Sequence, residues 1–419
     1  MTPILTATRD SHRIPCTDRP DVVVIGGGVV GCSIAYRLSL QNRRVLLLEK
    51  RGLAAGASGR NGGLTGAGSS LHTAAGRAVS ALTVANLALM RTLEDELGVD
   101  IQLRLPGTLD IATTPEQYRD LAVGVEAQRA MGSEVHLLDT HEARKLMPAL
   151  TPDILGAEFA PGRGHLWPFA LVHAFADAAR RLGAGIRTGV TVDRLLIAGD
   201  RITGVEVAGE TIHAGEVVLA TNAYTPALLP DLPAGAIVPA RGQILVTEPL
   251  PPTLPHPFGT NYEKEYGRQT AHGPIICGGY RRLDVDEGLG HTDEAVTPPV
   301  LAGIAQCLTG LFPSLRDVRV VRCWAGIMGF TADGLPLIGR WPAYRGLTVA
   351  AGFNGGGFSW AATAGQVVAD LVSGEDPGFD LAPFDPGRFL SGATAWTNPY
   401  TAGEQSHTRE SVVLGHTTA

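Results

Sequence analysis

The sequence is short of charge, and of lysine in particular, and these shortages exclude whole classes of protein. Charged residues make up 18% of the 419 residues, against about 25% in an average soluble protein. The lysines are Lys50, Lys145 and Lys264 alone, no block of Lys and Arg occurs, and the net charge is −7. Nucleic acid is therefore excluded as an expected partner. Hydrophobic residues make up 44%, which is ample material for a core and excludes a wholly disordered chain.

Cysteines and long apolar runs are also scarce. The chain has 5 cysteines without a C-x-x-C pair, so neither a disulfide framework nor a metal site is expected. The longest apolar stretch, Val22 to Leu38, is broken by four glycines and is not a membrane span. The first 20 residues carry charges but no apolar segment typical of a signal peptide. We expect a cytoplasmic protein without a membrane span.

Glycine, in contrast, is plentiful and clustered, with 53 residues. The first cluster is a G-x-G-x-x-G motif, Gly26 to Gly31, between a predicted strand and a predicted helix. In such a motif the first glycine permits a tight turn, Gly28 lets the backbone approach a pyrophosphate, and Gly31 lets the helix pack on the strand. Glu49 ends the next predicted strand and can accept hydrogen bonds from a ribose. The motif predicts a site for FAD or NAD and argues against a 2′-phosphate.

A second glycine-rich segment, Gly56–Gly63, follows this acid closely. It resembles the flavin-binding signature of the D-amino-acid oxidase superfamily, which includes glycine oxidase, sarcosine oxidase and gamma-glutamylputrescine oxidase. Three later segments agree: Val218–Ala223 is similar to the strand end beside FAD, Trp324–Gly339 to the late signature, and Ala351–Phe358 to the last glycine loop. The resemblance spans about residues 21–390 and implies an FAD-dependent amine oxidoreductase.

The resemblance also implies which residues contact FAD. They are Gly26, Gly28, Val30, Gly31, Glu49, Lys50, Ser58, Gly59, Arg60, Asn61, Gly62, Gly63, Leu64, Val192, Ala220, Thr221, Asn222, Gly326, Met328, Asn354, Gly355, Gly356, Gly357 and Phe358. Glycines suit these loops because a flat flavin ring must lie close to the backbone. The helix after Phe358 would turn its positive N-terminus toward the edge of the ring that becomes negative on reduction.

Some of these assignments have plain structural alternatives. Asn61 can hold its own turn, Arg60 can form a surface salt bridge, and Val192 can be a core residue. FAD is expected without a covalent link, because Gly326 and Arg60 stand where relatives carry an attaching cysteine or histidine. In the strand where sarcosine oxidase relatives place a lysine facing the flavin, this chain has Cys277, so poor reactivity with oxygen is expected.

Substrate contacts are sought in the middle region and at the late signature. The candidates are Tyr262, Arg268, His272, Tyr280 and Met328, of which Met328, His272 and Tyr280 are also the candidates for a catalytic role. For each, packing or a place in a surface loop is the alternative.

Met328 stands where amino-acid oxidases of the superfamily carry an arginine that binds the substrate carboxylate. An arginine binds a carboxylate in a bidentate manner, whereas methionine offers an apolar surface. Simple α-amino acids are therefore expected to be poor substrates, and alkyl, aryl or cyclic amines better ones. The alternative is that Arg268 or Arg281 has taken over the carboxylate.

The predicted fold is α/β, with a discontinuous Rossmann-like FAD-binding domain and an inserted α+β substrate domain that has a mainly antiparallel sheet. The expected ranges are a disordered leader at 1–20, the FAD-binding domain at 21–95, 150–230 and 325–390, the substrate domain at 96–149 and 231–324, and a loose tail at 391–419.

The predicted reaction is oxidation of a C–N bond of an amine by hydride transfer to flavin N5, giving an imine, with O2 or another electron acceptor. The alternatives are a D-amino-acid or glycine oxidase or dehydrogenase, a non-catalytic flavin-fold subunit, and an NAD-dependent dehydrogenase.

Overall fold

The computed structural model describes residues 19–66, 74–130, 132–260, 264–391 and 395–398. The candidate Tyr262 lies outside the described residues, as do most of the predicted leader and tail. Within the described ranges no helix is both long enough and apolar enough to cross a membrane.

Helices are interspersed with single strands and with runs of strands along the described residues. The helices are α1 (Val29–Leu40), α2 (Ala74–Leu97), α3 (Pro115–Ala130), α4 (Thr140–Leu146), α5 (Pro168–Arg181), α6 (Thr225–Leu228), α7 (Pro298–Leu311) and α8 (Ala361–Ser373). The strands are β1 (Val22–Ile25), β2 (Val45–Glu49), β3 (Leu64–Thr65), β4 (Thr108–Ala112), β5 (His136–Asp139), β6 (Gly156–Ala160), β7 (Gly164–His165), β8 (Gly185–Thr188), β9 (Arg194–Ala198), β10 (Arg201–Val207), β11 (Glu210–His213), β12 (Glu216–Leu219), β13 (Ile237–Thr247), β14 (Phe258–Gly259), β15 (Tyr266–Gln269), β16 (Ile275–Gly278), β17 (Val320–Thr331), β18 (Leu337–Arg340) and β19 (Leu347–Ala351).

The first large sheet is the predicted Rossmann-like sheet, which the structure confirms. Its order is β18-β19-β12-β1-β2-β8, and all of its pairs are parallel except β18 with β19. Val22 and Val24 pack toward α1, α5 and α8, whereas Val23 and Ile25 pack toward the three-stranded sheet of β9, β10 and β11. Both faces are therefore buried, which explains why β1 is apolar throughout and β2 is apolar up to Glu49.

The second large sheet is mainly antiparallel, as predicted for the substrate domain. Its order is β17-β13-β16-β15-β14-β4-β6-β5, with only β14 and β4 parallel among its described pairs. Side chains of α4 and α7 pack with those of β4, β13 and β16 in one apolar core.

Two strands depart from the expected domain ranges. The sequence places 150–230 and 325–390 in the FAD-binding domain, but β6 and the part of β17 from Ala325 onward belong to the second sheet. The reason is strand pairing: β6 pairs with both β4 and β5, and β17 pairs with β13 along the length of β13. The late signature therefore begins inside the substrate sheet and crosses from there to the FAD-binding domain.

The N-terminus of α8 is held by side chains from α2. The buried Asn86 accepts hydrogen bonds from the backbone N–H groups of Ala362 (2.9 Å) and Thr363 (3.3 Å), and its amide donates to the Phe358 carbonyl (3.3 Å). The Trp360 indole donates to the Thr83 hydroxyl (3.0 Å). Helix α2 thus fixes the last glycine loop from behind.

Replacing Asn86 with alanine should destabilise the fold. Asn86→Ala leaves two buried N–H groups of the first turn of α8 without their acceptor, a loss of about 1–2 kcal/mol in the free energy of unfolding. Thermal unfolding of the apoprotein measures the effect. Thr92→Ala, at an exposed position of the same helix, is the control and should leave the midpoint unchanged. Equal midpoints for all three proteins would contradict this role of Asn86.

Candidate active site

A cavity of about 670 Å³ lies between the two large sheets. Its lining includes Gly28, Gly62 and Gly355 from the FAD-binding side, and Gly242 and Tyr266 from the second sheet. This volume is within the usual range for sites that take a small molecule or a cofactor.

The turn after β1 is packed too closely for any residue except glycine. Gly26 has φ +112°, and a Cβ there would lie 2.5 Å from the Ala220 carbonyl oxygen. A Cβ at Gly31 would lie 1.9 Å from the Gly26 carbonyl oxygen. The first and third glycines of the motif therefore do what the sequence predicts: they allow the turn and the contact of α1 with it.

The second glycine leaves open space instead. A Cβ at Gly28 would meet only the Ser58 side chain, with the hydroxyl oxygen at 3.0 Å. The same hydroxyl accepts a hydrogen bond from the Val29 N–H at the start of α1 (2.9 Å). Gly28 and Ser58 both line the cavity, so the N-terminus of α1 offers an anion site there.

Glu49 presents its carboxylate to the cavity at the end of β2. One carboxylate oxygen accepts a hydrogen bond from the Gly27 N–H and the other from the Arg51 N–H, both at 2.7 Å. Two backbone donors therefore hold the side chain at the place where a ribose would bind next to the glycine turn.

The second glycine segment is fixed by its own side chains. Asn61 donates to the carbonyls of Ala57 (2.9 Å) and Ser58 (3.0 Å) and accepts from the Gly63 N–H (2.7 Å). Gly63 has φ +72°, and a Cβ there would lie 2.3 Å from the Leu166 carbonyl oxygen. The side chain of Asn61 holds its turn, while its backbone remains available to a cofactor.

Arg60 lines the cavity and is also engaged in the ion pair that was its structural alternative. Its guanidinium donates to the Ala325 carbonyl (2.8 Å) and pairs with Glu294 (2.7 Å). Glu294 also pairs with Arg51 (2.8 Å). A residue from the middle region thereby ties together two loops of the FAD-binding domain.

The loop after β19 contacts both Asn222, which follows β12, and Met328 of β17. Asn222 accepts hydrogen bonds from the N–H groups of Gly352 (3.0 Å) and Phe353 (3.2 Å). Gly355 has φ +84°, and a Cβ there would lie 3.4 Å from the Met328 sulfur. Met328 therefore lies in the cavity wall directly against the last glycine loop.

Nearly all of the cofactor residues expected from the sequence are brought together in the lining. These are Gly26, Gly28, Val30, Glu49, Lys50, Ser58, Arg60, Asn61, Gly62, Gly63, Leu64, Val192, Ala220, Thr221, Asn222, Gly326, Met328, Asn354, Gly355, Gly356, Gly357 and Phe358. Gly31 and Gly59 lie behind it, Gly31 against Gly26 and Gly59 against Ala54 and Phe169.

The expected substrate residues are mostly placed elsewhere. Arg268 is buried, donates to the carbonyls of Gly62 and Leu166, and does not line the cavity. His272 lies on an exposed turn, and Tyr280 packs against Gly303 of α7; neither lines the cavity. Of the four described candidates Arg268, His272, Tyr280 and Met328, Met328 alone lies in the lining.

Tyr266 is a lining residue that the sequence analysis missed. Its ring would be 2.7 Å from a Cβ at Gly62, and burial raises the pKa of its phenol, so the hydroxyl stays protonated. The signal was alternation along β15: Tyr266 and Arg268 share a face and both contact Gly62.

Arg281 also lines the cavity. From the sequence it is named only as an alternative residue for binding the substrate carboxylate. Its guanidinium carbon lies 4.3 Å from the centroid of the Phe330 ring. Phe330 and Met328 both line the cavity, and they share a face of β17 because side chains alternate along a strand. Burial lowers the pKa of Arg281 to about 10, so it remains a cation at neutral pH.

The residues of this cavity fit FAD. Glycines keep two loops open to a flat ring, α1 offers free N–H groups for a pyrophosphate, and Glu49 offers a carboxylate for a ribose. Among the described residues no cluster of three or more His, Cys, Asp or Glu is placed to hold a metal ion.

The chain is similar in sequence to flavoenzymes along most of its length. A family model described as DAO, FAD dependent oxidoreductase, matches residues 21–371. A glycine oxidase of Geobacillus kaustophilus (strain HTA426) is 31% identical over 385 residues, covering 89% of this chain and 98% of the relative. The beta subunit of a sarcosine oxidase from an Arthrobacter species is 29% identical, covering 89% and 91%.

Solved structures agree with the sequence matches. The crystal structure of glycine oxidase from Geobacillus kaustophilus has a TM-score of 0.80 at 29% identity and covers 88% of this chain and 99% of its own. L-proline dehydrogenase from P. horikoshii has a TM-score of 0.77 at 28% identity and covers 89% and 98%. The family match spans every described strand of both large sheets.

Alanine substitutions at the glycine motif should separate folding from cofactor binding. In Gly31→Ala the new Cβ meets a backbone carbonyl that cannot move, so the apoprotein should lose its cooperative unfolding transition. Gly28→Ala should fold, because its nearest neighbour is a side-chain tip, but should bind FAD at least about tenfold more weakly. Thermal unfolding and FAD titration measure the two effects.

Gly52→Ala is the control, since no atom of a residue other than its chain neighbours lies within 4 Å of its Cβ position, and it should match the wild type in both measurements. Wild-type FAD affinity in Gly28→Ala would show that the cofactor does not pass over this glycine.

Proposed function

Because the chain belongs to the DAO family of FAD-dependent oxidoreductases and is an FAD-dependent enzyme that oxidises the C–N bond of an amine, we propose that its substrate is an amino acid whose carboxylate binds Arg281. The NAD-dependent dehydrogenase and the non-catalytic subunit, both considered from the sequence, are thereby set aside. The class of amine and the electron acceptor are likewise proposals.

The position of Arg281 is the observation that carries the proposal. Met328 offers no charge at the position where the resemblance led us to look for an arginine, but Arg281 reaches the same wall over Phe330. A guanidinium stacked on an aromatic ring still directs its N–H edge outward, where a carboxylate can bind in a bidentate manner. This favours the alternative left open by the sequence, that another arginine has taken over the carboxylate, above the uncharged amines expected from Met328 alone.

The protein and its cofactor have separate tasks in this reaction. When bound, FAD would supply the hydride acceptor for the C–H group next to the neutral amine nitrogen. Loss of the hydride gives an iminium ion, which becomes the imine when its proton passes to water. Arg281 would bind the carboxylate and so orient this C–H group. Met328 and Phe330 would exclude water, and an apolar wall favours the neutral amine that the reaction needs. The imine then hydrolyses in water.

The proposed cellular location is the cytoplasm. Cys32, Cys277 and Cys307 are buried free thiols, as is usual in a reducing compartment. Cys277 lies in the apolar core of the second sheet and does not line the cavity. Since it brings no positive charge to the flavin, we propose that O2 is a slow acceptor.

FAD should be held without a covalent bond. Gly326 and Arg60 are in contact, with 2.8 Å between the Arg60 Cβ and a Cβ placed at Gly326, and neither is a nucleophile. Acid precipitation of the holoenzyme should therefore leave a colourless pellet and a yellow supernatant. Flavin absorbance that remains with the washed, denatured chain would refute this.

The substrate class can be tested by anaerobic bleaching of the flavin band with matched amines. Sarcosine should reduce the enzyme at least about tenfold faster than dimethylamine, and alanine faster than ethylamine, because each pair differs by the carboxylate that Arg281 binds. Equal or faster reduction by the uncharged amines would sink the carboxylate proposal. On admission of air the yellow colour should return slowly; rapid return would give the oxygen-activating charge to Lys264, which lines the cavity.

Loss of the guanidinium should affect substrate binding more than turnover. Arg281→Met should raise KM for the best amino acid roughly 10- to 100-fold, since a charged hydrogen bond contributes about 1.5–3 kcal/mol, and Arg281→Lys should recover part of it. In the wild type, binding should weaken as the pH rises through about 10, where Arg281 loses its proton. Arg282→Met, at the exposed neighbour, is the control. Unchanged kinetics in Arg281→Met would exclude this arginine.

A further inference from the structure

A short segment near the C-terminus, Ala395–Asn398, returns to the late loops of the cavity. It lies beyond residue 371, where the family match ends. Asn398 is 1% exposed, and its amide donates to the Thr331 carbonyl (2.5 Å) and to the Asn354 side-chain oxygen (2.9 Å). The expected loose tail therefore includes four residues that are part of the folded protein.

Asn354, the residue that Asn398 contacts, is conformationally demanding. It has φ +50°, in the left-handed region that non-glycine residues adopt at a cost. Its side-chain oxygen also accepts from the Thr331 N–H (3.0 Å), and its amide donates to the Gly352 carbonyl (2.7 Å). These bonds hold Asn354 in the conformation from which the chain enters Gly355.

The segment is attached at three successive residues. Trp396 packs against the apolar core between the first sheet and the three-stranded sheet. The Thr397 N–H donates to the Ala332 carbonyl (2.7 Å), and Asn398 then reaches Thr331 and Asn354. The Asn398 amide is therefore held at the end of β17 by the two residues that precede it, Trp396 and Thr397.

We propose that Asn398 is a positioning residue for FAD, which acts by fixing Asn354 and through it the last glycine loop. Asn354 and Gly355 line the cavity, whereas Asn398 does not. Without the Asn398 amide, the side-chain oxygen of Asn354 keeps one backbone donor, the Thr331 N–H. The left-handed conformation of Asn354, directly before Gly355, is then less firmly held. The proposal rests on FAD binding and is independent of the role of Arg281.

Full-length Asn398→Ala, Asn398→Ser and Asn398→Asp test the proposal, with Thr397→Ala as the control because Thr397 is exposed and contributes a backbone bond. The measurements are FAD affinity by titration of the apoprotein, the visible spectrum of the bound flavin, and thermal unfolding of the apoprotein. Asn398→Ala should bind FAD about tenfold more weakly, the loss of roughly one buried hydrogen bond, with a changed flavin spectrum.

Asn398→Asp should be the weakest binder, since it sets a carboxylate against two acceptors. Asn398→Ser keeps one donor, should be intermediate, and serves if Asn398→Ala does not fold. Thr397→Ala should match the wild type.

Unchanged FAD affinity and flavin spectrum in the Asn398 variants would overturn the proposal, and so would a lower apoprotein unfolding temperature with unchanged FAD affinity, since the segment would then be only a structural brace. The outcome is separable from that for the substrate. If no amino acid reduces the wild-type flavin while the Asn398 variants still bind FAD weakly, the proposed substrate class fails and the role of Asn398 stands.

Discussion

The close approach of α1 to the turn after β1 is the contact on which the rest of the structure depends. It exists because Gly31 has no Cβ to meet the carbonyl of Gly26. The other side of α1 is equally close to α8, where a Cβ at Gly365 would lie 2.0 Å from the Ser33 hydroxyl. One helix is thereby held between a glycine turn and a glycine of a second helix, and the N-termini of both helices are brought to the same cavity.

The second sheet completes the cavity by packing against the glycine-rich segment Gly56–Gly63, and it forms a sheet separate from the first. Tyr266 and Arg268 contact Gly62 from β15, and Arg60 is fixed to the strand β17 through the Ala325 carbonyl. The guanidinium groups of Arg60 and Arg268 would be costly to bury without partners, and backbone carbonyls supply those partners. The buried Arg268 holds the backbone of Gly62 and Leu166 in place, whereas a different arginine, Arg281, lines the cavity.

Most of the cofactor candidates named from the sequence line the cavity, whereas most of the described substrate candidates do not, and the difference has a physical reason. Gly26, Gly28 and Gly31 are recognisable because their roles follow from backbone geometry within one turn, and Glu49 from its place at the end of the next strand. Which of Arg268 and Arg281 enters the cavity depends on contacts with residues distant in sequence: Arg268 is held by the carbonyls of Gly62 and Leu166, and Arg281 lies over Phe330. Tyr280, His272 and Arg268 have suitable chemistry but do not line the cavity. Asn86 and Asn398 carry no local signal, because their partners are not neighbours in the sequence. The partners of Asn86 lie 272 to 277 residues away, and those of Asn398 lie 44 and 67 residues away.

The two ends of the cofactor site are far apart in the sequence, since the glycine turn begins at Gly26 and the last glycine loop follows Asn354. A chain still being synthesised presents the strand, turn and helix of the first motif long before the loop that closes the other side of the cavity exists. Domains fold from the N-terminus as they leave the ribosome, but this domain is discontinuous and its sheet lacks β12, β18 and β19 until late. The complete FAD site can therefore form only after the last glycine loop has been synthesised, and until then the glycine turn is present without the opposite wall of its cavity.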